Sequence, residues 1–221
     1  MSSNPDPEID GTDAPIEFPE SVATGTTVLL CGFDPTEYAL GLRALAQFGG
    51  PEDDAVVVTT TRGAEPTIER YDSLAPADST PSLRVVDMVS EGQSISATYG
   101  EVPTVFTPSQ GDTERLVLAL SELTGRKVID GERHLVVRSL SPMLSAASTA
   151  RVTDVLDRIS GLRTADGLAV FALDYTAHDE DTVSTVAETA DRVCWVTKRA
   201  DGRFETDLRS TRAAVGRPVG E

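Results

Sequence analysis

Short apolar runs alternate with helical patterns along most of the chain, and this order constrains the fold more than any other feature. The first two strand-like runs, residues 26–31 and 55–59, flank a helical pattern that ends at Gly49-Gly50. Asp34-Pro35 offers that helix an N-cap followed by a proline at its first position. Continuous apolar runs of this length are typical of strands buried on both faces of a parallel sheet.

The same alternation continues towards the C-terminal end. Further strands are predicted at residues 83–88, 102–106 (weakly), 134–138 and 168–173, and further helices at residues 65–71, 112–123, 148–162 and 179–190. Residues 192–197 and 203–209 predict a terminal hairpin across Ala200-Asp201-Gly202, and the segment around Pro142 is predicted to be a loop. We therefore expect an α/β fold with three layers: a mostly parallel sheet, helices on both faces, and an antiparallel C-terminal hairpin.

The ends of the chain differ in composition from this regular part. Residues 1–24 contain four prolines among many acids, which predicts a disordered acidic tail. Residues 25–210 form one predicted domain, without an internal repeat or an interdomain linker. Residues 211–221 contain Arg212 and Arg217 and are predicted to be a flexible basic tail.

Charge narrows the range of functions and partners. The chain has 36 acidic and 19 basic side chains, a net charge of −17 at pH 7, which disfavours direct binding to nucleic-acid phosphates. Only Lys127 and Lys198 are lysines, and a surface that is acidic and poor in lysine suits a hydrated protein in concentrated salt, as in a halophile. With no apolar run long enough to span a membrane, we expect a cytoplasmic protein that does not bind membranes. Cys31 and Cys194 lie in apolar runs and are predicted to be buried, unreactive thiols.

The turn after the first strand is where a parallel α/β sheet places a phosphate-binding loop. A P-loop uses glycines so that backbone N–H groups wrap the phosphates, a lysine for charge, and a hydroxyl for magnesium. The segment from Gly32 to Tyr38 keeps only one glycine, lacks the lysine, and adds Asp34 and Glu37. A like-charge contact near 4 Å opposes phosphate binding by about 4 kcal/mol at an effective dielectric constant near 20. A Rossmann Gly-x-Gly-x-x-Gly motif is also absent from this turn.

Four segments together resemble archaeal RecA/KaiC-type P-loop ATPases, and specifically a degenerate halophilic branch called transducer-like. They are residues 26–48, the strand end at 57–62, the segment His-Leu-Val-Val-Arg-Ser-Leu-Ser-Pro at 134–142, and residues 167–183 with Ala-His-Asp-Glu-Asp-Thr. The likeness spans roughly residues 20–210 and implies a RecA-like P-loop fold.

Position by position, the resemblance implies a chain that has lost ATP hydrolysis. The family's Gly-Lys-Thr motif corresponds to Pro35-Thr36-Glu37, its acids after the second strand to Thr60, Thr61 and Arg62, and its magnesium-supporting Asp to Arg138. Losing all three parts leaves no mechanism for phosphoryl transfer. We expect no enzyme activity and no cofactor, and a pseudo-ATPase that acts through protein partners in regulation or signal transduction.

Three alternatives to this interpretation stay open. A nucleotide-binding switch would hold ATP and magnesium with little hydrolysis, using Gly32, Thr36, Arg62 and Arg138 as a degenerate site. Arg138 could instead form a salt bridge with Asp34 or Asp174, or be an exposed arginine.

The third alternative is an enzyme of unrelated chemistry built around Asp174 and His178, with a small metal or proton-transfer site at Asp174, His178 and Asp179. The simpler interpretation has Asp179 or Thr176 capping the next helix, with His178 facing solvent or a carboxylate. Relatives of this type form rings or dimers, so an oligomer is possible.

Overall fold

One sheet crosses the whole domain. The computed structural model describes residues 15–22, 25–74, 77–90, 96–99, 101–107, 109–125 and 129–211, and within these ranges nine strands form one sheet. The strands are β1 (Thr27–Gly32), β2 (Asp54–Thr59), β3 (Ser82–Asp87), β4 (Ser96–Tyr99), β5 (Val102–Phe106), β6 (Arg133–Val137), β7 (Ala169–Asp174), β8 (Arg192–Lys198) and β9 (Phe204–Ser210). The helices are α1 (Leu40–Phe48), α2 (Ala64–Asp72), α3 (Thr113–Gly125), α4 (Ser141–Ala146), α5 (Thr149–Ser160) and α6 (Glu180–Ala187).

The strand order is β4-β5-β3-β2-β6-β7-β1-β8-β9. Neighbours from β5 to β8 run parallel, whereas β4 pairs antiparallel with β5 and β9 pairs antiparallel with β8. The predicted α/β class, the mostly parallel sheet and the antiparallel C-terminal hairpin are confirmed. Strand β4 was not predicted, because it is only four residues long and lies in a segment rich in serine and threonine.

Helices cover both faces of the sheet and create two hydrophobic cores. One core holds α1 and α2 against side chains such as Val28 and Leu30, and the other holds α3 to α6 against side chains such as Leu29 and Phe171. Successive residues of β1 point to opposite faces, and all six are buried. Burial on both faces explains why the parallel strands are continuous apolar runs rather than alternating ones.

Both cysteines lie inside these cores, as predicted. Cys31 and Cys194 are buried free thiols on β1 and β8. Burial raises the pKa of the Cys194 thiol to about 12, and it raises the pKa of Cys31 further, because the apolar surroundings disfavour the thiolate. Neither thiol is therefore a reactive nucleophile.

Two helix predictions were wrong. The helix expected to begin at Asp34-Pro35 begins at Leu40, after a turn over residues 35–39. Asp34 has φ 41°, a left-handed conformation, whereas an N-cap residue needs an extended one. The expected loop around Pro142 contains α4, which is possible because a proline is tolerated in the first turn of a helix.

Part of the predicted N-terminal tail is packed on the domain. Residues 15–22 lie against α1, and Phe18 is buried there. The Gln47 side chain binds the Phe18 backbone at both ends: its Oε1 accepts from the N–H at 3.0 Å, and its Nε2 donates to the carbonyl at 2.8 Å. The remaining residues of that prediction, 1–14 and 23–24, and residues 212–221 of the predicted basic tail lie outside the described residues.

No helix within the described ranges is both long and apolar enough to cross a membrane.

Candidate functional site at the carboxyl edge of the sheet

The carboxyl ends of β1, β2, β6 and β7 meet at one edge of the sheet, and most of the predicted site residues follow them directly. Gly32 at the end of β1 lies beside Asp174 at the end of β7, and Val58 near the end of β2 lies beside Val137 at the end of β6. Arg138 follows β6 immediately. In open parallel sheets this edge is where ligands bind.

The loop after β1, residues 33–39, is closed on itself. The N–H groups of Glu37 and Tyr38 donate to the Asp34 carbonyl at 3.1 and 3.3 Å, and the Asp34 carboxylate also accepts from the Glu37 N–H at 3.1 Å. The N–H of Ala39 donates to the Thr36 carbonyl, and that of Leu40 to the Pro35 carbonyl. The backbone donors at positions 37–40 are therefore already bonded within the loop, whereas a phosphate-binding loop points such donors at its ligand.

Gly32 has a packing role in this arrangement. A Cβ at this position would lie 2.7 Å from Leu40 Cδ1 and 3.7 Å from Val196 Cβ. The absence of a side chain at Gly32 lets the start of α1 pack closely on the end of β1. This contact accounts for the single glycine that the turn keeps.

Arg62 connects the loop after β2 to the loop after β1. Its Nη2 lies 2.6 Å from Glu37 Oε2, and both side chains are largely exposed. An exposed pair of this kind contributes less than about 1 kcal/mol to stability. The Arg62 guanidinium nevertheless has a carboxylate partner in this structure, which is Glu37.

Arg138 is the most unusual side chain at this edge, because its guanidinium is buried without a carboxylate. Only 3% of its surface is exposed. Its Nη1 donates to Thr67 Oγ1 at 2.6 Å and its Nη2 to the Thr36 carbonyl at 3.4 Å, and no acidic side chain among the described residues lies within salt-bridge distance. Burial, together with the positive charges of Arg62 and Arg70, lowers the pKa of Arg138 to about 10.

The predicted alternatives for Arg138 were both wrong. It forms no salt bridge with Asp34 or Asp174, and it is not exposed. The reason is the position of α2, which brings the buried Thr67 hydroxyl over the end of β6. That hydroxyl donates to the Gly63 carbonyl at 2.8 Å and is left to accept a hydrogen bond from Arg138.

Asp174, His178 and Asp179 each have a separate local partner. The Asp174 carboxylate accepts from the Thr176 N–H at 2.9 Å, and the Asp179 carboxylate caps α6 by accepting from the Thr182 N–H at 2.7 Å. The side-chain and backbone hydrogen bonds from Thr182 lower the pKa of Asp179. His178 Nε2 lies 2.9 Å from Ser141 Oγ at the start of α4. The predicted cap at Asp179 is confirmed, and His178 contacts the Ser141 hydroxyl and also acts electrostatically on the Asp179 carboxylate.

No cluster of three His, Cys, Asp or Glu side chains that could hold a metal ion occurs in the part of the chain that the structure describes.

Sequence reasoning missed two residues of this edge. Thr67 lies on the second helix, far along the chain from Arg138, and no spacing pattern links the two. Asp87 ends β3 and is fully buried, and its carboxylate accepts from the N–H of Ala64 at the start of α2 at 2.8 Å and from the N–H groups of Val89 and Ser90 at 2.8 and 2.9 Å. An aspartate directly after an apolar strand was the available signal for Asp87.

Comparison with known structures gives fold-level likenesses. A Pyrococcus horikoshii OT3 protein from a structural study, PH0250, matches with a TM-score of 0.54 and 12% identity, over 83% of this chain and 86% of its own. The uncharacterised Pyrococcus horikoshii protein PH0321, solved in complex with an unknown peptide, matches with a TM-score of 0.54 and 14% identity, over 86% of this chain and 84% of its own. The flagellar accessory protein FlaH of Methanocaldococcus jannaschii has a TM-score of 0.48 and 10% identity, over 86% of this chain and 79% of its own.

At these identities the two Pyrococcus likenesses concern the fold alone, which is the three-layer α/β fold with a mostly parallel sheet that the sequence predicts. A search of the curated proteins gives no significant match. A family-wide sequence profile covers most of the domain, from residue 25 to residue 196. The chain therefore belongs to the family of unknown function DUF7504.

Proposed function

We propose that this chain is a non-catalytic RecA-like domain, a pseudo-ATPase that acts through protein contacts in the regulation or signal transduction of a halophile. The observation that carries the proposal is the closed loop after β1, whose backbone donors at Glu37 to Leu40 are bonded to acceptors of the same loop. Phosphate binding would require this turn to open, and Asp34 and Glu37 would still repel the ligand.

The side chains around the loop support the same conclusion. Thr36 and its two neighbours stand where the resembled family has the motif with the P-loop lysine. Residues Thr60 to Arg62 stand in place of the water-orienting acid, and Arg138 stands in place of the magnesium-supporting Asp. Thr36 is nearly buried, and its carbonyl accepts from Arg138. A cation held beneath the loop by a hydroxyl and a carbonyl cannot coordinate magnesium or accept a proton from water.

The interaction role is supported by one exposed aromatic residue at the same edge. Phe33 directly follows β1, and 58% of its surface is exposed. A large apolar side chain beside an inactive site can anchor a partner protein. One structural neighbour was solved in complex with a peptide, and we extend peptide or protein binding to this chain only as part of the proposal.

Calorimetric titration of magnesium-ATP into the protein, in molar potassium chloride, tests the loss of nucleotide binding. We expect no heat at millimolar nucleotide, with folding confirmed by circular dichroism. Phosphate release from ATP is then compared between the wild type and Thr36→Ala, which removes the nearest candidate for a magnesium hydroxyl. Micromolar binding, or a phosphate release that Thr36→Ala abolishes, would contradict the pseudo-ATPase assignment.

Phe33→Ser tests the interaction role. We expect the Phe33→Ser variant to lose proteins that co-purify with the wild type from cells of the native organism. Leu118→Ser is the matched control, because Leu118 on α3 is also an exposed large apolar residue, with 68% of its surface accessible. If both variants retain the same partners as the wild type, Phe33 is not the anchor.

A nucleotide-binding switch is the second candidate function, and the buried Arg138 favours it. The buried guanidinium carries a positive charge that no carboxylate compensates. An anion that reached it would provide the compensating negative charge. This alternative requires the loop over Arg138 to open when the anion binds. Thr36, Arg62 and Arg138 would then contact the phosphates.

Arg138→Met separates the two candidates. Since burying an unpaired charge is costly, we expect the variant to be more stable than the wild type by about 1–2 kcal/mol in urea unfolding. Arg62→Met, at the exposed pair, is the control and should change stability by less than about 0.5 kcal/mol. ATP or inorganic phosphate binding that is present in the wild type and lost in Arg138→Met would establish the switch in place of the pseudo-ATPase.

A further inference from the structure

Strand β9 is an edge strand of the sheet that the described residues form. It is the last strand in the sheet order, and β8 is its only strand neighbour within the described ranges. Its seven residues, Phe-Glu-Thr-Asp-Leu-Arg-Ser, contain neither the proline nor the lysine that often protects an edge strand, but they do include three charged side chains, which make pairing depend on the charges of the partner strand. The edge is therefore able to accept another strand.

The register of the hairpin identifies which backbone groups face outwards. Antiparallel pairs alternate between hydrogen-bonded and non-hydrogen-bonded positions. The N–H of Arg199 donates to the Arg203 carbonyl at 2.8 Å, so the odd-numbered residues of β9 direct their backbone groups towards β8. The even-numbered residues Thr206, Leu208 and Ser210 direct their backbone groups away from the sheet, and these groups form no backbone hydrogen bond within the described part of the chain. The Thr206 side chain does have a partner, because its hydroxyl donates to the Glu17 carbonyl at 3.1 Å.

We propose that β9 pairs antiparallel with β9 of a second copy of this chain, with Leu208 opposite its own counterpart. In this register the outward N–H and C=O groups of the two Leu208 residues bond to each other, and those of Thr206 bond to Ser210 of the second copy. The two sheets become one continuous sheet across a twofold axis. This inference does not depend on the proposed loss of nucleotide binding.

The charge pattern of β9 selects both the partner and the register. Glu205, Asp207 and Arg209 lie on one face of the strand, because side chains alternate. With Leu208 at the axis, Asp207 lies opposite Arg209 of the second copy. The twofold axis repeats this contact, so the interface contains two opposite-charge pairs. Directly opposite charges of unlike sign stabilise a strand pair, and like charges destabilise it.

Neighbouring twofold registers are less favourable. A shift that places Asp207 on the axis sets two aspartates against each other. A shift that places Arg209 there opposes two arginines, and one centred on Thr206 opposes Glu205 to Asp207 twice. Only the register centred on Leu208 has two opposite-charge pairs and no like-charge pair among the residues of β9.

The contact also adds apolar burial on the other face. Leu208 is partly buried against the core that contains α1, and pairing would cover its remaining surface with its counterpart. A single strand pair is small for an interface, so we expect a dimer that dissociates on dilution.

Sedimentation velocity of the full chain in molar potassium chloride, over a range of concentrations, tests the proposal. The wild type should shift from monomer to dimer as the concentration rises. Asp207→Arg and Arg209→Asp should each raise the dissociation constant of the dimer at least about tenfold, because each substitution places like charges opposite each other at two positions. Since the ion pair between Asp207 and Arg209 is a surface contact, both variants should remain folded, as circular dichroism will verify.

Mixing the two variants provides a control that intramolecular effects cannot imitate. An Asp207→Arg chain beside an Arg209→Asp chain restores both opposite-charge pairs, so the mixture should dimerise at concentrations at which each variant alone is mainly monomeric. Leu208→Pro removes an outward N–H without removing a bond to β8, and it should abolish the dimer. A chain that is monomeric at every concentration would overturn the proposal, whether the edge of β9 is bare or covered by the terminal residues of the same chain. A dimer that these variants do not affect would also overturn it.

Discussion

His134, at the start of β6, is held in one tautomer by two neighbours. The N–H of Leu168 donates to its Nδ1 at 3.0 Å, so the proton is on Nε2, which donates to Asp53 Oδ2 at 3.0 Å. The Asp53 carboxylate also accepts from the N–H groups of Gly50 and Glu132, each at 2.7 Å. Partial burial alone would raise the pKa of Asp53, but these hydrogen bonds together outweigh burial and lower it.

Asp53→Asn tests the contribution of this carboxylate to stability. An amide directs a donor at one of the backbone N–H groups, so we expect a loss of about 1–3 kcal/mol in the free energy of unfolding at neutral pH. Because the folded pKa lies below the unfolded value, the wild-type contribution is complete at neutral pH and is lost as the pH falls through the folded pKa. Urea unfolding at several pH values should show a smaller acid-dependent loss for the variant.

The exposed neighbour Glu52 supplies the control for Asp53. Glu52→Gln removes one negative charge at the same turn and should leave both stability and its pH dependence close to the wild type. Parallel pH curves for Asp53→Asn and the wild type would show that the carboxylate does not have this role.

At the scale of residues, the sequence located the site better than it located the contacts within it. Gly32, Thr36, Arg62 and Arg138 were placed at the carboxyl edge because each follows a predicted strand. The partners of Arg138 come from α2 and from a tight turn, and neither is encoded by spacing along the chain. Side-chain pairs between distant segments depend on helix placement, which the sequence pattern alone does not specify.

The turn into β7 shows how closely two elements approach each other. A Cβ at Gly167 would lie 2.0 Å from the Arg133 carbonyl oxygen and 2.9 Å from Thr164 Oγ1. The first of these atoms belongs to the backbone of β6 and cannot move aside without shifting the strand. Gly167→Ala should therefore lower the free energy of unfolding by about 2 kcal/mol or more, as measured by urea titration.

Gly125→Ala is the matched control for Gly167→Ala. Gly125 ends α3, and a Cβ there would meet nothing within 4 Å. We expect that variant to be neutral or slightly stabilising, by up to about 1 kcal/mol, because alanine favours the helix. Equal effects at the two glycines would contradict the steric account.

At the scale of elements, the buried strands were predictable, whereas the start of α1 and the short helix α4 were not. Apolar runs such as those of β1, β2 and β7 have one physical explanation, which is burial on both faces. The Asp34-Pro35 pattern has two, since an aspartate stabilises a tight turn as readily as it caps a helix. The short helix α4 was missed because six residues contain too little periodicity to identify.

For the whole molecule, the net charge of −17 makes stability dependent on salt. The Debye length falls from about 10 Å at 0.1 M to about 3 Å at 1 M, so concentrated salt screens most of the repulsion between surface carboxylates. We expect the melting temperature, measured by circular dichroism, to rise between dilute buffer and molar potassium chloride. Sucrose at matched osmolality should produce a smaller rise, and a melting temperature independent of salt would remove the halophilic interpretation.

The position of β1 in the middle of the sheet has a consequence for synthesis. Its neighbours are β7 and β8, so Thr27 pairs with Ala169, and its N–H donates to the Asp191 carboxylate. At about 5 to 20 residues per second, the ribosome takes roughly 10 to 30 seconds to deliver these partners. During that interval, β1 lacks both of its strand neighbours, and its apolar side chains are not yet enclosed in a complete sheet, while β2 and β3 can already pair. Strand β1 is therefore enclosed only after most of the domain has been made, and nascent chains of this protein should depend on chaperones that hold an early hydrophobic segment until β7 and β8 emerge.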